Sequence, residues 1–183
     1  MLFIKFDENT IMMKAIASLF VYIVLSTGLQ AQTLQVKSDA VKISFLADKQ
    51  KTDGTIGGFE AKIIFNTDQL AKSSISGTVD VATIDTGIKK RDEHLRSSDY
   101  FDVENYPKIS FQSTSIEKTE NGFKMVGLLK IKDKAHQEEI QFTFNDNIFK
   151  GKMNIQLSNY DVGDFSTAKK NGVAITFHIP VTM

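Results

Sequence analysis

The chain has no cysteine, only two prolines, three histidines and no excess of either charge. Without cysteine there is no disulfide, no thiol nucleophile and no cysteine-anchored lipid, so a small exported domain has to hold together on its apolar core alone. Twenty-two basic side chains balance twenty-two acidic ones, which removes the basic field that draws nucleic acid or anionic membrane to a surface. Residues 1–31 take two of each sign with them, so the remainder is neutral as well. His94, His136 and His178 lie in separate segments, none at the spacing of metal ligands. Phosphate-binding glycine loops are missing, and Gly57-Gly58 reads as a turn before a strand. Ser97-Ser98 near His94 has no nucleophile-elbow context.

Long apolar runs are also scarce. The only one, Ala15 to Leu25, follows Met13-Lys14 and precedes the small or polar stretch Ser26 to Ala31. That is the layout of a secretory signal peptide cleaved after Ala31, and the run is shorter than the roughly 20 residues of a spanning helix. Met1 to Met12, with Asp7 and Glu8 ahead of the basic residue, is unusual for such a peptide. The expectation is a signal peptide over 1–31 and one domain over 32–183, periplasmic or secreted, with no integral membrane segment in the mature form.

What the chain does have, from Leu34 onward, is alternation of apolar and polar residues, the period of strands with one buried face. Val41, Ile43 and Phe45 begin it. Phe59, Ala61, Ile63 and Phe65 follow, then Ile75, Gly77, Val79 and Val81. Ile109 and Phe111 open a more polar strand after Pro107 that ends near Glu117. Beyond an Asn121-Gly122 hairpin marker, where both residues can take positive φ, Phe123, Met125, Gly127, Leu129 and Ile131 share one face. Ile140, Phe142 and Phe144 share the next, and then Phe149, Gly151, Met153, Ile155 and Leu157. The last run, Val173 to Val181, is opened by a second turn at Asn171-Gly172. This makes about eight strands and points to an antiparallel barrel or sandwich.

Neither proline interrupts a run: Pro107 begins a strand and Pro180 falls near the chain end, where an edge position is tolerable. The charge-rich runs Lys49 to Asp53 and Lys130 to Lys134 read as solvated loops. Helical spacing is clear only over Thr86 to Asp99, where Ile88, Arg91 or Asp92, and Leu95 share a face and Asp92 and Arg96 form an ordered pair one turn apart. A second brief helical or irregular segment falls around Tyr160 to Lys169.

The stretch from Val81 to Phe111 is distinctive. Ile84-Asp85-Thr86, Arg91-Asp92-Glu93-His94-Leu95-Arg96-Ser97, Tyr100-Phe101-Asp102 and Tyr106-Pro107-Lys108-Ile109-Ser110-Phe111 occur in the order and spacing of the central segment of the YceI-like family. Gly57-Gly58-Phe59 before it and Val126-Gly127-Leu128-Leu129-Lys130-Ile131 after it match too. The chain therefore resembles that family over nearly all of residues 32–183. Two departures stand out: Lys132-Asp133-Lys134-Ala135-His136 replaces the usual glycine-containing turn, and the C-terminal third is shorter and diverges around Asp161 to Thr167.

The resemblance implies an all-β fold, an antiparallel eight-stranded lipocalin-like β-barrel with one short helix near one end. It also implies an elongated apolar cavity for a polyisoprenoid, an isoprenoid quinone or a fatty-acid-like amphiphile, and periplasmic residence. An eight-stranded barrel is just wide enough either to fill with side chains or to hold one small ligand. The candidate ligand-binding residues are Phe59, Ile63, Phe65, Val79 and Val81 from the first half, and Phe101, Ile109, Phe111, Met125 and Leu129 from the middle. Phe142, Phe144, Met153 and Phe177 complete the set. An ordinary packed core is the plain alternative for each. Flexible methionines and the glycines Gly77, Gly127 and Gly151, which are expected to leave space on the apolar faces, lean toward a cavity.

Asp85, Arg91 and His94 are candidates for the cavity mouth, but the better reading is that Arg91 and Asp92 fix the helix to the barrel and that His94 is a surface residue. Asp92-Glu93-His94 holds three metal-ligating types, but adjacent helix residues point in different directions, so neither metal nor cofactor is expected. The reading that emerges is non-enzymatic binding, transport or storage of a long apolar ligand, with no catalytic residue and no nucleic-acid partner. Oligomeric state, a homodimer included, stays open here. The alternatives are an interaction module with a filled barrel, and an accessory protein acting on a bound lipid or quinone through His94, Asp92 or Arg91.

Overall fold

A computed structural model of the chain describes residues 33–47, 51–163 and 171–182; the signal-peptide reading of residues 1–31 lies outside them. Ten strands form one antiparallel sheet: β1 (Thr33–Val36), β2 (Lys42–Ala47), β3 (Thr52–Thr55), β4 (Glu60–Ile64), β5 (Ser74–Asp80), β6 (Lys108–Thr119), β7 (Gly122–Ile131), β8 (Lys134–Asn145), β9 (Ile148–Gln156) and β10 (Gly172–Thr182). The order β1-β4-β5-β6-β7-β8-β9-β10 returns to β1 through the pairs Gln35 with Thr182 and Val36 with Val181. Eight strands thus close into a barrel, as expected.

Membership of that ring differs from the sequence reading in one strand. β1 closes it, while β2 and β3 extend from β10 beside the closure, β2 pairing with Val173 to His178. Together β1 and β2 are two halves of one broken strand, separated by a 3₁₀ turn at Ser38–Ala40. Pro180 sits opposite that break. Its carbonyl accepts the Lys37 N–H, so the missing proline N–H faces a place where no ladder needs it.

Turn chemistry explains the hairpins. Thr119 pairs with Gly122, so the β6–β7 hairpin turns through Glu120-Asn121, and of the expected Asn-Gly pair only Gly122 takes positive φ, at 136°. A Cβ there would run into the Phe142 carbonyl. The hairpin between β8 and β9 is the one with two consecutive left-handed residues, Asp146 and Asn147 at φ 52° and 58°, the twist that suits a two-residue connection. Between β7 and β8, Lys132 at φ 56° does without glycine. The run Lys130 to Lys134 is accordingly two strand ends around a two-residue turn rather than a loop. Likewise Thr52 and Asp53, read as solvated loop, belong to β3. Asn171-Gly172 is no hairpin turn: Gly172 is already paired with Gln156 in β10.

A register shift between Ser113 and Ser115 puts one extra residue in β6. Such a bulge reverses the inward phase, and it turns Ile116, only 7% exposed, into the core after Ile109 and Phe111. The long β5–β6 connection carries the only α-helix of the described residues, α1 (Lys89–Arg96). It is shorter than the span Thr86 to Asp99 expected from spacing, because Gly87 at φ 76° breaks the chain before it and the Ser97 hydroxyl donates to the His94 carbonyl at its end. Eight residues do not sustain a helix alone; contacts to the loop before it do.

Register fixes the level of each element. The β6–β7 and β8–β9 turns, the β4–β5 connection and β1 stand at one end, the hairpin end. The β7–β8 turn and the connection carrying α1 stand at the other, the helix end.

Candidate functional site

The inward faces enclose a cavity of about 360 Å³, within the roughly 300–1,000 Å³ of small-molecule sites. Its walls are aliphatic and aromatic. Of the fourteen side chains picked from alternation and resemblance, eleven line it: Phe59, Ile63, Val79, Phe101, Ile109, Phe111, Met125, Leu129, Phe142, Met153 and Phe177. Three do not. Phe65 and Phe144 belong to a ring cluster below the cavity, and Val81 lies in a 3₁₀ turn after β5 has ended, buried at 1% exposure behind the wall.

Other lining residues lie on the same alternating faces and were open to the same reasoning, among them Ile43, Phe45, Ile140, Phe149, Ile175 and Ile179. Ile84, Leu95 and Tyr100 come from the β5–β6 connection, where no two-residue period exists to expose them.

Glycines on the inner face do not leave the space expected of them. Each is covered by a phenylalanine ring from the neighbouring chain segment: Phe177 of β10 lies over Gly151, Phe111 of β6 over Gly127, and Phe59, just before β4, over Gly77, where an added Cβ would come 3.1 Å from Cε2. Phe45 covers Gly54 in the same manner. A ring that lies against backbone runs along the wall rather than across the lumen. The hollow is therefore kept by flattened aromatics, with the glycines as the sites that let them flatten.

The hairpin end of the cavity is solid. Phe65 meets Phe123, Phe142, Phe144 and Phe149 at centroid separations of 5.2, 5.7, 5.3 and 5.2 Å, all edge-on, the geometry favoured by the ring quadrupole. Phe142 and Phe149 take part in this cluster and also face the cavity.

At the helix end the lining turns polar. Arg91 is the one permanently charged side chain among the described lining residues, with His94 and Tyr100 beside it. The Arg91 Nε and Nη2 donate to the Thr86 hydroxyl and carbonyl, both at 2.8 Å. Asp92, 6% exposed, accepts from the hydroxyl and the N–H of Thr86. The Thr86 hydroxyl, the Thr86 N–H and the nearby charges of Arg96 and Arg91 outweigh burial and hold its carboxyl below the usual carboxylate range. Arg96 does not pair directly with Asp92 as expected; its Nη2 donates to the Ile84 carbonyl at 2.6 Å. The network seats α1 on the Ile84 to Thr86 loop. His94 is exposed, edge-on to Tyr100 at 4.8 Å and 3.9 Å from the Asp99 carboxylate. Asp85, the third mouth candidate, is outside the cavity: its backbone bridges to Thr55 and its carboxylate accepts the Gly87 N–H.

One side of the wall is completed by a residue that strand reasoning did not find. The β8–β9 ladder extends only from Asn145 with Ile148 to Gln141 with Lys152. Above it Tyr160, fully buried, packs edge-on to His136 at 5.1 Å and donates its hydroxyl to Glu138 Oε1 at 2.7 Å. Burial and the Glu138 carboxylate push the phenol well above its ordinary range. Among the described residues no three histidine, aspartate or glutamate side chains converge as metal ligands, and no helix is long and apolar enough to cross a membrane.

The profile of the YceI-like domain matches residues 34–182. A UPF0312 protein of Photorhabdus laumondii is 35% identical over 78 residues, 43% of this chain; the match spans only 41% of that relative's length. Among solved structures, Burkholderia cenocepacia BcnA superposes with a TM-score of 0.71 at 27% identity, covering 81% of this chain and 100% of that one. A polyisoprenoid binding domain from Saccharophagus degradans, implicated in plant cell wall breakdown, superposes with a TM-score of 0.54 over 82% of this chain and 97% of that one. Its 13% identity makes that a likeness of fold.

Proposed function

Since this chain belongs to the YceI-like domain family, matched over residues 34–182, we propose that it binds one long apolar molecule in its barrel and carries or stores it without chemical change. The observation that carries this reading is the hollow of about 360 Å³ with walls of Ile, Val, Leu, Met and Phe. Burying a hydrocarbon chain there is favourable by roughly 25 cal/mol per Å² of apolar surface removed from water, with no hydrogen bond required along its length. The chemical class that fits is a polyisoprenoid, an isoprenoid quinone or a fatty-acid-like amphiphile. The Saccharophagus domain of the same fold, described as polyisoprenoid binding, supports the first of these. A polar head belongs at the helix end, beside Arg91 and His94, because the floor offers only rings. The signal-peptide pattern of residues 1–31 supports action in the periplasm or outside the cell.

Protein purified without detergent is expected to release a lipid on organic extraction, identified by mass spectrometry, and the emptied protein to take up added polyprenyl alcohol or fatty acid. Protein that yields no lipid and ignores both compounds would overturn the reading.

A further inference from the structure

We infer that Phe142 and Phe149 act as a depth stop that sets the length of chain the barrel accepts. The inference rests on the binding reading above and adds the residues that decide selectivity. Both rings line the cavity and both belong to the aromatic cluster behind it. They are 4% and 3% exposed, and Phe65, edge-on to each, blocks them from moving away from the cavity. Phe123 stacks on Phe142 at 5.3 Å and Phe144 lies 4.4 Å from Phe149, so neither ring can swing back from the lumen. The walls above can yield in part: Met125 and Met153 are flexible, and the flattened rings border open space. The floor has no such freedom. A chain that enters from the helix end therefore meets adaptable walls and one hard stop, and its length beyond the stop must remain outside in water.

The residue above Phe142 on the same face of β8 is Ile140, which also lines the cavity. Residues two apart along a strand are about 6.6 Å apart, and with strands tilted roughly 40° to a barrel axis the step in depth is about 5 Å, or about four carbons of extended chain. Replacing Phe142 or Phe149 with a small residue lowers the floor by part of such a step. Replacing Ile140 with phenylalanine raises it.

The test is a series of straight-chain saturated fatty acids from about eight to about twenty-two carbons, each titrated against delipidated protein and read as affinity against length. F142A and F149L, with folding checked by circular dichroism, are expected to move the optimum about one to three carbons longer, and I140F about four carbons shorter. The leucine variant keeps enough volume to stay folded should the alanine variant fail. Folded variants that weaken every length equally and leave the optimum where wild type has it would overturn the depth stop while leaving the binding reading intact. Wild-type protein that binds no member of the series would sink the depth stop, and one that also ignores added polyprenyl alcohol would sink the binding reading with it.

Discussion

At the hairpin end of the barrel, Phe65, Phe123, Phe142, Phe144 and Phe149 interlock edge to face around the central ring of Phe65. At the helix end the same wall borders a hollow beside one short helix, which is held to the loop before it by bonds that Arg91 donates to Thr86 and Arg96 to Ile84, and by those that Asp92 accepts from Thr86. The first region is dispersion and apolar burial, which are insensitive to pH. The second is a charged network that is. Placing the well-packed material at the floor lets the barrel leave its middle unfilled without losing its core, and leaves access to the end that is tied by fewer and more polar contacts.

This contrast can be broken at several points. The largest effect belongs to F65A, which removes the hub of the cluster and is expected to cost about 3–5 kcal/mol in a denaturant melt. A cost under about 1 kcal/mol would mean that the floor is not where stability lies. Next is G151A on the middle wall, whose methyl would press on the Phe177 ring and stand 2.7 Å from the Gln141 carbonyl and 2.8 Å from the Phe142 Cβ. Loss of about 1–3 kcal/mol is expected, together with reduced lipid capacity as Phe177 is driven into the lumen. G77A, where the nearest atoms are at 3.1 and 3.2 Å, should cost less, and equal costs would deny that the rings lie on the glycines.

Y160F removes the bond to Glu138 and leaves the apolar packing, so a loss of about 1–2 kcal/mol in the same melt is expected. Smallest at neutral pH is D92N, since an amide oxygen can still accept from Thr86. Its signature is in acid. The bonds from Thr86 hold the folded carboxyl below the ordinary carboxylate range, so its contribution is full above that range and is lost as pH falls through the lowered folded value. Melting temperature followed from pH 7 down to about pH 2 should show a shallower acid limb in D92N than in wild type; parallel curves would remove Asp92 from the account of the helix end.

How much of this was legible beforehand depended on what each residue answers to. The inward faces of β4 to β10 could be read from alternation because period two is a local property of the backbone, and eleven of the fourteen residues picked on that basis and by resemblance face one hollow. Val81 was misplaced because its strand ends one residue earlier in a 3₁₀ turn, which alternation cannot signal. Phe65 and Phe144 kept the right face but stand at the wrong depth, since depth depends on register across five strands. Tyr160 was out of reach altogether: its partners, His136 and Glu138, are more than twenty residues earlier on β8.

From local patterns alone, then, came eight of the ten strands, the β6–β7 hairpin and the single helix, since these follow from the backbone period, turn residues and helical spacing within a few neighbours; the closed ring and its hollow were expectations taken from family resemblance. Only the folded ring decided that β1 rather than β2 closes it, that the glycines are covered and not vacant, and that one end is solid while the other is open. Those outcomes are set by pairs far apart in sequence, where the fit of one side chain against another strand's backbone determines whether a space is filled.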